Sequence, residues 1–250
     1  MFRLQESLMD YREFNDPDSW AEAGAAVLLE SAIAYWNLGK TPIFCLAGGG
    51  TPMPVYRCFA GKIHARAASG ANSANGNGHG KAGEILVLPG DERWMPEDPR
   101  WQNETMLAEV LTQTVPIITI ASWLPDLKGT VSQEKQQGPI QACSIMNTSL
   151  SELQSSRDRL FACTVLGLGA DGHTAGLFRE TQRGIHTAVY AAENFPHNRV
   201  SLLPETLKNS EKTLVLVHKR GKEEAVAAML RGNALINTCM SNDTKIFCLV

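Results

Sequence analysis

The sequence predicts an α/β protein built on an open, mostly parallel sheet with helices on both faces. Two observations carry that prediction. Short apolar runs of strand length alternate along the chain with longer stretches whose apolar residues recur at helical spacing. Three unusual loops, residues 48–52, 90–98 and 167–174, each begin where such an apolar run ends. In a parallel sheet, ligands bind at the carboxyl ends of the strands. The three loops are therefore expected on one rim, around a single site.

Taken in order, residues 18–37 read as a helix, with Ala21, Ala25, Leu28, Leu29, Ala32, Ile33 and Trp36 on one periodic face and a stop near Gly39. The apolar run Ile43 to Ala47 reads as a strand that ends at Gly48-Gly49-Gly50, and Thr51-Pro52 opens a helical pattern through Val55, Tyr56 and Phe59. Residues 66–83 are almost all Gly, Ala, Ser and Asn, with nothing large to bury, and read as a flexible surface insertion. Ile85–Leu88 is a strand closed by GDERWMPED, 101–114 is helical, 116–123 is a further apolar run, and Gln133 to Leu153 reads as a long helix. Phe161–Leu166 is a strand closed by GLGADGH. Val200–Leu203 and Leu214–Val217 are short strands, Lys222–Leu230 a helix and Ile246–Val250 a terminal strand.

The 250 residues are 44% hydrophobic and 20% charged, an ordinary globular composition, and the expectation is one α/β domain over 1–250 carrying the insertion at 66–83. A net charge of -3 leaves no global positive field for a nucleic-acid backbone. No run approaches the ~18 apolar residues of a membrane span. The acidic start, with Glu6, Asp10, Glu13, Asp16 and Asp18, is unlike a secretory signal. Six scattered cysteines without a CxxC pair suit reduced thiols in a cytoplasmic protein. The histidines form no HxxxH or HxH pair, and no metal is expected. There is no GxSxG elbow, no GxGxxG fingerprint and no loop ending in GK[ST], which argues against a serine hydrolase and against nucleotide cofactors.

Four segments carry chemistry. In LAGGGTP (46–52) three glycines allow a tight turn with N–H groups turned toward a ligand, Thr51 is a candidate N-cap and Pro52 the first helical residue. That segment reads equally as a phosphate cradle at a helix N-terminus or as a bare strand-to-helix turn. In GDERWMPED (90–98) Arg93 suits bidentate phosphate binding, Asp91 or Glu92 can orient it or a sugar hydroxyl, and Asn103 follows within reach of the same rim. In LGLGADGHTAGLF (166–178) His173 sits among glycines, before Thr174-Ala175, which can begin a helix. A helix N-terminus disfavours the imidazolium and keeps the ring neutral, as a general base requires, while Asp171 either opposes that tendency or orients the ring. In NRVSLLPETL (198–207) and LVLVHKRGKEEA (214–225), Arg199, Lys219, Arg220 and Lys222 are the remaining cations near strand ends.

These motifs, in this order and from about residue 17 to the last strand, resemble those of the 6-phosphogluconolactonases within the glucosamine-6-phosphate isomerase/6-phosphogluconolactonase family. The resemblance implies a Rossmann-like fold and hydrolysis of 6-phospho-D-glucono-1,5-lactone to 6-phosphogluconate, with no cofactor. The implied partner is the phosphorylated sugar lactone, and the implied assembly a monomer or small homo-oligomer. It puts the proposed base on His173 and the substrate phosphate on Gly49, Gly50, Thr51, Arg93, Arg199 and Lys222; the reading of the residues themselves adds Asp171 beside the base and Asp91, Asn103 and Gly169 as substrate-binding candidates. Two departures stand out. Gly50 takes a position often held by serine, and His218-Lys219 stands where the family has Thr-Gly, which makes Lys219 a rival to Lys222. The related deaminase is the alternative activity, but its acidic segment reads DEY and its histidine loop runs toward Asn-Glu-Pro, where this chain has Arg93 and Gly176-Leu177-Phe178. A non-catalytic sugar-phosphate sensor is the alternative of another class.

Overall fold

A computed structural model of the chain describes residues 8–69, 83–95, 98–112, 115, 117–123, 137–177, 179–191 and 198–250. Strand β1 (Leu8–Phe14) leads into helix α1 (Pro17–Asn37). Asp16 caps that helix by accepting the Ser19 N–H at 2.8 Å, and Pro17 fills the first position, where a missing N–H costs nothing. Then follow β2 (Ile43–Leu46), α2 (Met53–Ala68), β3 (Ile85–Pro89), β4 (Asp91–Arg93), a 3-10 turn at Pro99–Trp101, α3 (Asn103–Leu111) and β5 (Ile118–Ile120). The second half adds α4 (Gln137–Ser155), β6 (Phe161–Gly167), β7 (Arg179–Arg183), β8 (Thr187–Ala191), β9 (Arg199–Leu202), α5 (Pro204–Lys208), β10 (Ser210–His218), α6 (Glu223–Leu230), a 3-10 turn at Leu235–Cys239 and β11 (Asp243–Leu249).

Seven strands form one sheet in the order β1-β11-β10-β6-β2-β3-β5, and the pairings within it are parallel. The expected mostly parallel sheet is therefore present. Its central strands are buried on both faces, which is why they read as unbroken apolar runs. Successive residues alternate between two cores: Phe44 and Leu46 of β2 face one, Ile43 and Cys45 the other, and β10 divides in the same way. Helices α1, α2 and α3 cover the first face with Trp20, Leu28, Tyr56, Phe59 and Leu107. The second face is covered by α4, α6 and the inner side of β9, through Met146, Leu150, Met229, Val200 and Leu202.

A second sheet, β4-β9-β8-β7, is antiparallel, and of its strands the sequence predicts only β9, as Val200–Leu203. Its first member, β4, is a three-residue strand lying inside what the sequence presents as the loop 90–98. The sequence also gives no sign of β1, a polar edge strand paired only with β11 among the described strands. The glycine- and alanine-rich stretch 66–83 begins within α2, which runs on to Ala68, and residues 70–82 lie outside the described residues. The start of the helix expected from Gln133 also lies outside them, and from Gln137 onward it is continuous through Pro139. All six cysteines are unpaired, five of them buried. Among the described residues no helix is long and apolar enough to cross a membrane, and no group of three or more His, Cys, Asp or Glu is placed to hold a metal.

Helix α1 is anchored by Trp20, which is fully buried and donates its indole N–H to Phe247 O at 3.1 Å. Trp20→Ala removes a large core side chain and its hydrogen bond, and is expected to cost about 3–5 kcal/mol. Leu38→Ala, at a position 68% exposed, is expected to stay within about 0.5 kcal/mol of the parent. Urea titration of both variants checks the contrast.

Candidate active site

The three loops do meet at the carboxyl ends of the parallel strands. They enclose a cleft of about 240 Å³ lined by Gly49, Gly50, Thr51, Asp91, Arg93, Asn103, Gly169, His173, Arg199 and Lys222, together with Ala47, Gly48, Gly167, Leu168, Thr174 and Ala175. Of the binding candidates, Gly49, Gly50, Thr51, Asp91, Arg93, Asn103, Gly169, Arg199 and Lys222 are on this wall, and Glu92 and Lys219 are not. Asp171 is not on it, but holds His173 from behind.

The glycine turn follows β2. Gly49 has a φ of 80°, in the left-handed region where a side chain is strained. Gly48 is needed for a different reason: a Cβ there would overlap the Asn103 carboxamide. Helix α2 begins one residue later than expected, with Pro52 at the N-cap and Met53 first in the helix, and no side chain caps it. Thr51 therefore lines the cleft as part of the turn and is not a cap.

On the other side, β3 ends at Pro89, and Gly90 passes the chain into β4, which crosses to pair with β9. This carries Asp91 and Glu92 out of water: they are 6% and 0% exposed. Asp91 accepts from Asn103 Nδ2 at 3.1 Å and faces Arg199 Nη1 at 3.4 Å, and its carbonyl accepts a second Asn103 bond at 2.9 Å. Burial raises the Asp91 carboxyl above its ordinary value, against the pull of Arg199, Arg93 and His173. Arg93 donates through Nη1 to Trp101 O at 2.9 Å. Two opposed charges and an amide are thus fixed in one corner of the cleft, with Arg93 and Arg199 directly opposite each other in the β4–β9 register.

The third loop leaves β6 and folds on itself. Gly169 N–H donates to His173 O at 2.8 Å, Gly172 N–H to Gly169 O at 3.1 Å, and Thr174 Oγ1 to Gly167 O at 2.7 Å. A Cβ on Gly169 would overlap the His173 ring and the Asp171 carboxylate, so the loop closes only around glycine at this position. Asp171 Oδ1 sits 2.5 Å from His173 Nδ1 and also accepts the His173 backbone N–H at 3.2 Å. Burial raises the Asp171 carboxyl, but the His173 bonds outweigh it and leave the group below its ordinary value, so it is ionised at neutral pH.

One expectation fails here. No helix starts at Thr174-Ala175: Ala175 has a φ of 48°, Leu177 N–H closes a turn on Thr174 O, and β7 follows. The reason is crowding. A Cβ at Gly176 would lie 3.0–3.1 Å from the Cβ atoms of Ser201, Arg199 and Asp91, and Gly176 N–H is taken by Ser201 Oγ at 3.2 Å, so the backbone is pressed against β9 and β4. The ring is oriented by the Asp171 carboxylate and not by a helix dipole.

The two late lysines are placed differently. Lys219 Nζ pairs with Glu13 at 2.6 Å, at the β1 edge of the sheet. Lys222, at the N-cap of α6, lines the cleft and donates to Leu168 O at 2.6 Å, and burial lowers its ammonium against the pull of Asp171.

The glucosamine-6-phosphate isomerases/6-phosphogluconolactonase family matches residues 15–239. The chain belongs to that family. Among its relatives, the human GDH/6PGL endoplasmic bifunctional protein is 29% identical over 147 residues, which are 56% of this chain and 18% of that one, so the chain spans about a fifth of that relative's length. The 6-phosphogluconolactonase of Treponema pallidum is 26% identical over 191 residues, covering 74% of this chain and 70% of that one. In fold, the chain resembles the 6-phosphogluconolactonase of Trypanosoma brucei, with a TM-score of 0.74 at 21% identity over 98% of this chain and 97% of that one.

The close approach of Gly48 to Asn103 yields a prediction. Gly48→Ala must push the Asn103 carboxamide off Asp91, and a loss of about 1–3 kcal/mol is expected. A Cβ at Gly50 meets open space, and Gly50→Ala is expected to cost less than about 1 kcal/mol. Chemical denaturation of both variants checks the pair.

Proposed function

We propose that the protein hydrolyses 6-phospho-D-glucono-1,5-lactone to 6-phosphogluconate, with His173 as general base. The observation that supports this reading best is the Asp171–His173 pair set in the same cleft as a glycine turn and three cations, Arg93, Arg199 and Lys222. The pair suits proton transfer, and the cations with the turn suit a phosphate.

In this mechanism the substrate phosphate docks on Gly49, Gly50 and Thr51 beside Arg93, with Arg199 and Lys222 completing the positive field. Asp91 and Asn103 hold Arg199 in place and face the sugar hydroxyls. Nδ1–H donating to Asp171 selects the His173 tautomer whose lone pair is on Nε2. Nε2 takes a proton from water as its oxygen bonds to C1, giving a tetrahedral oxyanion. The C1–O5 bond then breaks, O5 receives the proton back from the imidazolium, and the new carboxylic acid ionises in water. The Gly169 and Gly172 N–H groups are engaged within their own loop, so positive charge from Lys222 is the better candidate for stabilising the oxyanion. A lactone is an activated ester, and a base worth ~10²–10⁴ together with positioning is enough.

The family also includes isomerases, so membership alone does not choose the reaction. Arg93 in the acidic segment and Gly176-Leu177 after the histidine loop favour the lactonase reading. Phe178, which completes that motif, lies outside the described residues. We expect no ammonia release from glucosamine 6-phosphate, and acceleration of lactone hydrolysis with EDTA present, after subtraction of the spontaneous rate. His173→Ala is expected to lower kcat by about 100-fold or more with KM little changed. Asp171→Asn, which favours the other tautomer, lowers kcat as well. A loss of less than about tenfold for His173→Ala overturns the base assignment.

A further inference from the structure

Glu92 is absent from the cleft wall, yet it is the most completely buried carboxylate among the described residues, with no exposed surface. It has no cationic partner within ion-pair distance among the described residues. Three backbone N–H groups take that place. Oε1 accepts from Arg93 N and from Asn103 N, each at 2.7 Å, and Oε2 accepts from Glu104 N at 2.8 Å. The last two are orphan donors at the start of α3, which no residue at its own N-cap position caps.

The consequence reaches both ends of Arg93. At one end, Glu92 holds the Arg93 backbone N–H. At the other, the Arg93 guanidinium grips Trp101 O, in the turn that enters α3 two residues before Asn103. The same carboxylate fixes the Asn103 backbone, and with it the side chain that bonds Asp91 and so braces Arg199. We propose that Glu92 is a positioning residue for substrate binding, holding Arg93 and Asn103 in register by capping α3 from the neighbouring strand. The role rests on the reading of this cleft as a phosphosugar site.

Charge matters to the role, because a carboxylate offers acceptors to all three donors and a neutral group does not. Burial pushes Glu92 up to about 7 against those three hydrogen bonds, and Asp91 beside it adds to the rise. The other charged groups around it are Arg93 on its own strand, Arg199 on β9 and Glu104 on α3. Above pH 7 the carboxylate is ionised and holds all three N–H groups, and as pH falls through about 7 it gains a proton and that hold weakens.

The test is E92Q, isosteric but unable to accept from all three donors, compared with the parent by calorimetry with glucose 6-phosphate and by lactone kinetics at pH 8. Unchanged far-UV circular dichroism checks the fold. We expect Kd and KM each to rise about tenfold while kcat changes less than about threefold, as for loss of a charge-assisted contact that acts through binding. The gap in Kd between parent and variant is expected to close between pH 8 and pH 6, since the phosphate and the other titrating groups are common to both. If E92Q does not fold, Glu92→Asp keeps the charge but draws the acceptors back by one methylene, and the same rise in Kd is expected. An unchanged Kd with a lowered Tm, or a Kd gap constant with pH, overturns the proposal. Calorimetry needs no turnover, so a parent that binds glucose 6-phosphate but leaves the lactone untouched contradicts the proposed reaction and not the role of Glu92.

Discussion

The rim of this protein depends on two carboxylates, Asp91 and Glu92, being taken out of water where β3 gives way to β4. Removing a charge from water is costly unless hydrogen bonds or opposite charge replace its hydration. Each carboxylate meets that demand differently. Asp91 turns to Asn103 and Arg199, and Glu92 to three backbone N–H groups. Satisfying them fixes the path of the chain from β3 through β4 to α3, and fixes β4 against β9. The parallel sheet and the antiparallel sheet are joined at this point, and the joint is also the cationic corner of the cleft.

The opposite wall follows from a second constraint. The loop after β6 must return through Gly176 across the paired strands β4 and β9, where the backbone approaches the Cβ atoms of Asp91, Arg199 and Ser201. That crowding excludes a helix, and the loop instead closes on its own N–H and C=O groups around Gly169. The closure brings Asp171 onto His173. Orientation of the imidazole is thus a product of packing against the same β4–β9 corner that holds Arg93 and Arg199. The Asp171–His173 pair and the cations Arg93 and Arg199 come together because one piece of backbone braces both. Lys222 reaches the loop from a third direction and ties it to the end of β10.

What was legible in the sequence follows from where the information lies. The central strands are buried on both faces, so their identity shows as uninterrupted apolar runs, and the glycine and charged residues that end those runs mark the rim. This is why Gly49, Thr51, Arg93, His173 and Lys222 are recognisable from sequence and meet in space. Strand β1 was not legible because LMDYREF carries charges that find partners at the sheet edge, as Asp10 does with Arg12 on its own strand and Lys245 on β11. β4 was hidden because three charged residues read as a solvated loop, whereas the pairing with β9 and the α3 N-terminus pay for their burial. The choice between Lys219 and Lys222 needed the fold: only the position of Glu13 on β1 shows why one of them is drawn away. The helix that Thr174-Ala175 could have begun fails on contacts with Asp91, Arg199 and Ser201, far away along the chain.

The most direct test of this account is a crystal structure with 6-phosphogluconate bound. The account predicts the phosphate at the glycine turn, in contact with Arg93, and the C1 carboxylate within about 3.5 Å of His173 Nε2. A product bound the other way round, with its phosphate at His173, or seated outside this cleft, contradicts it.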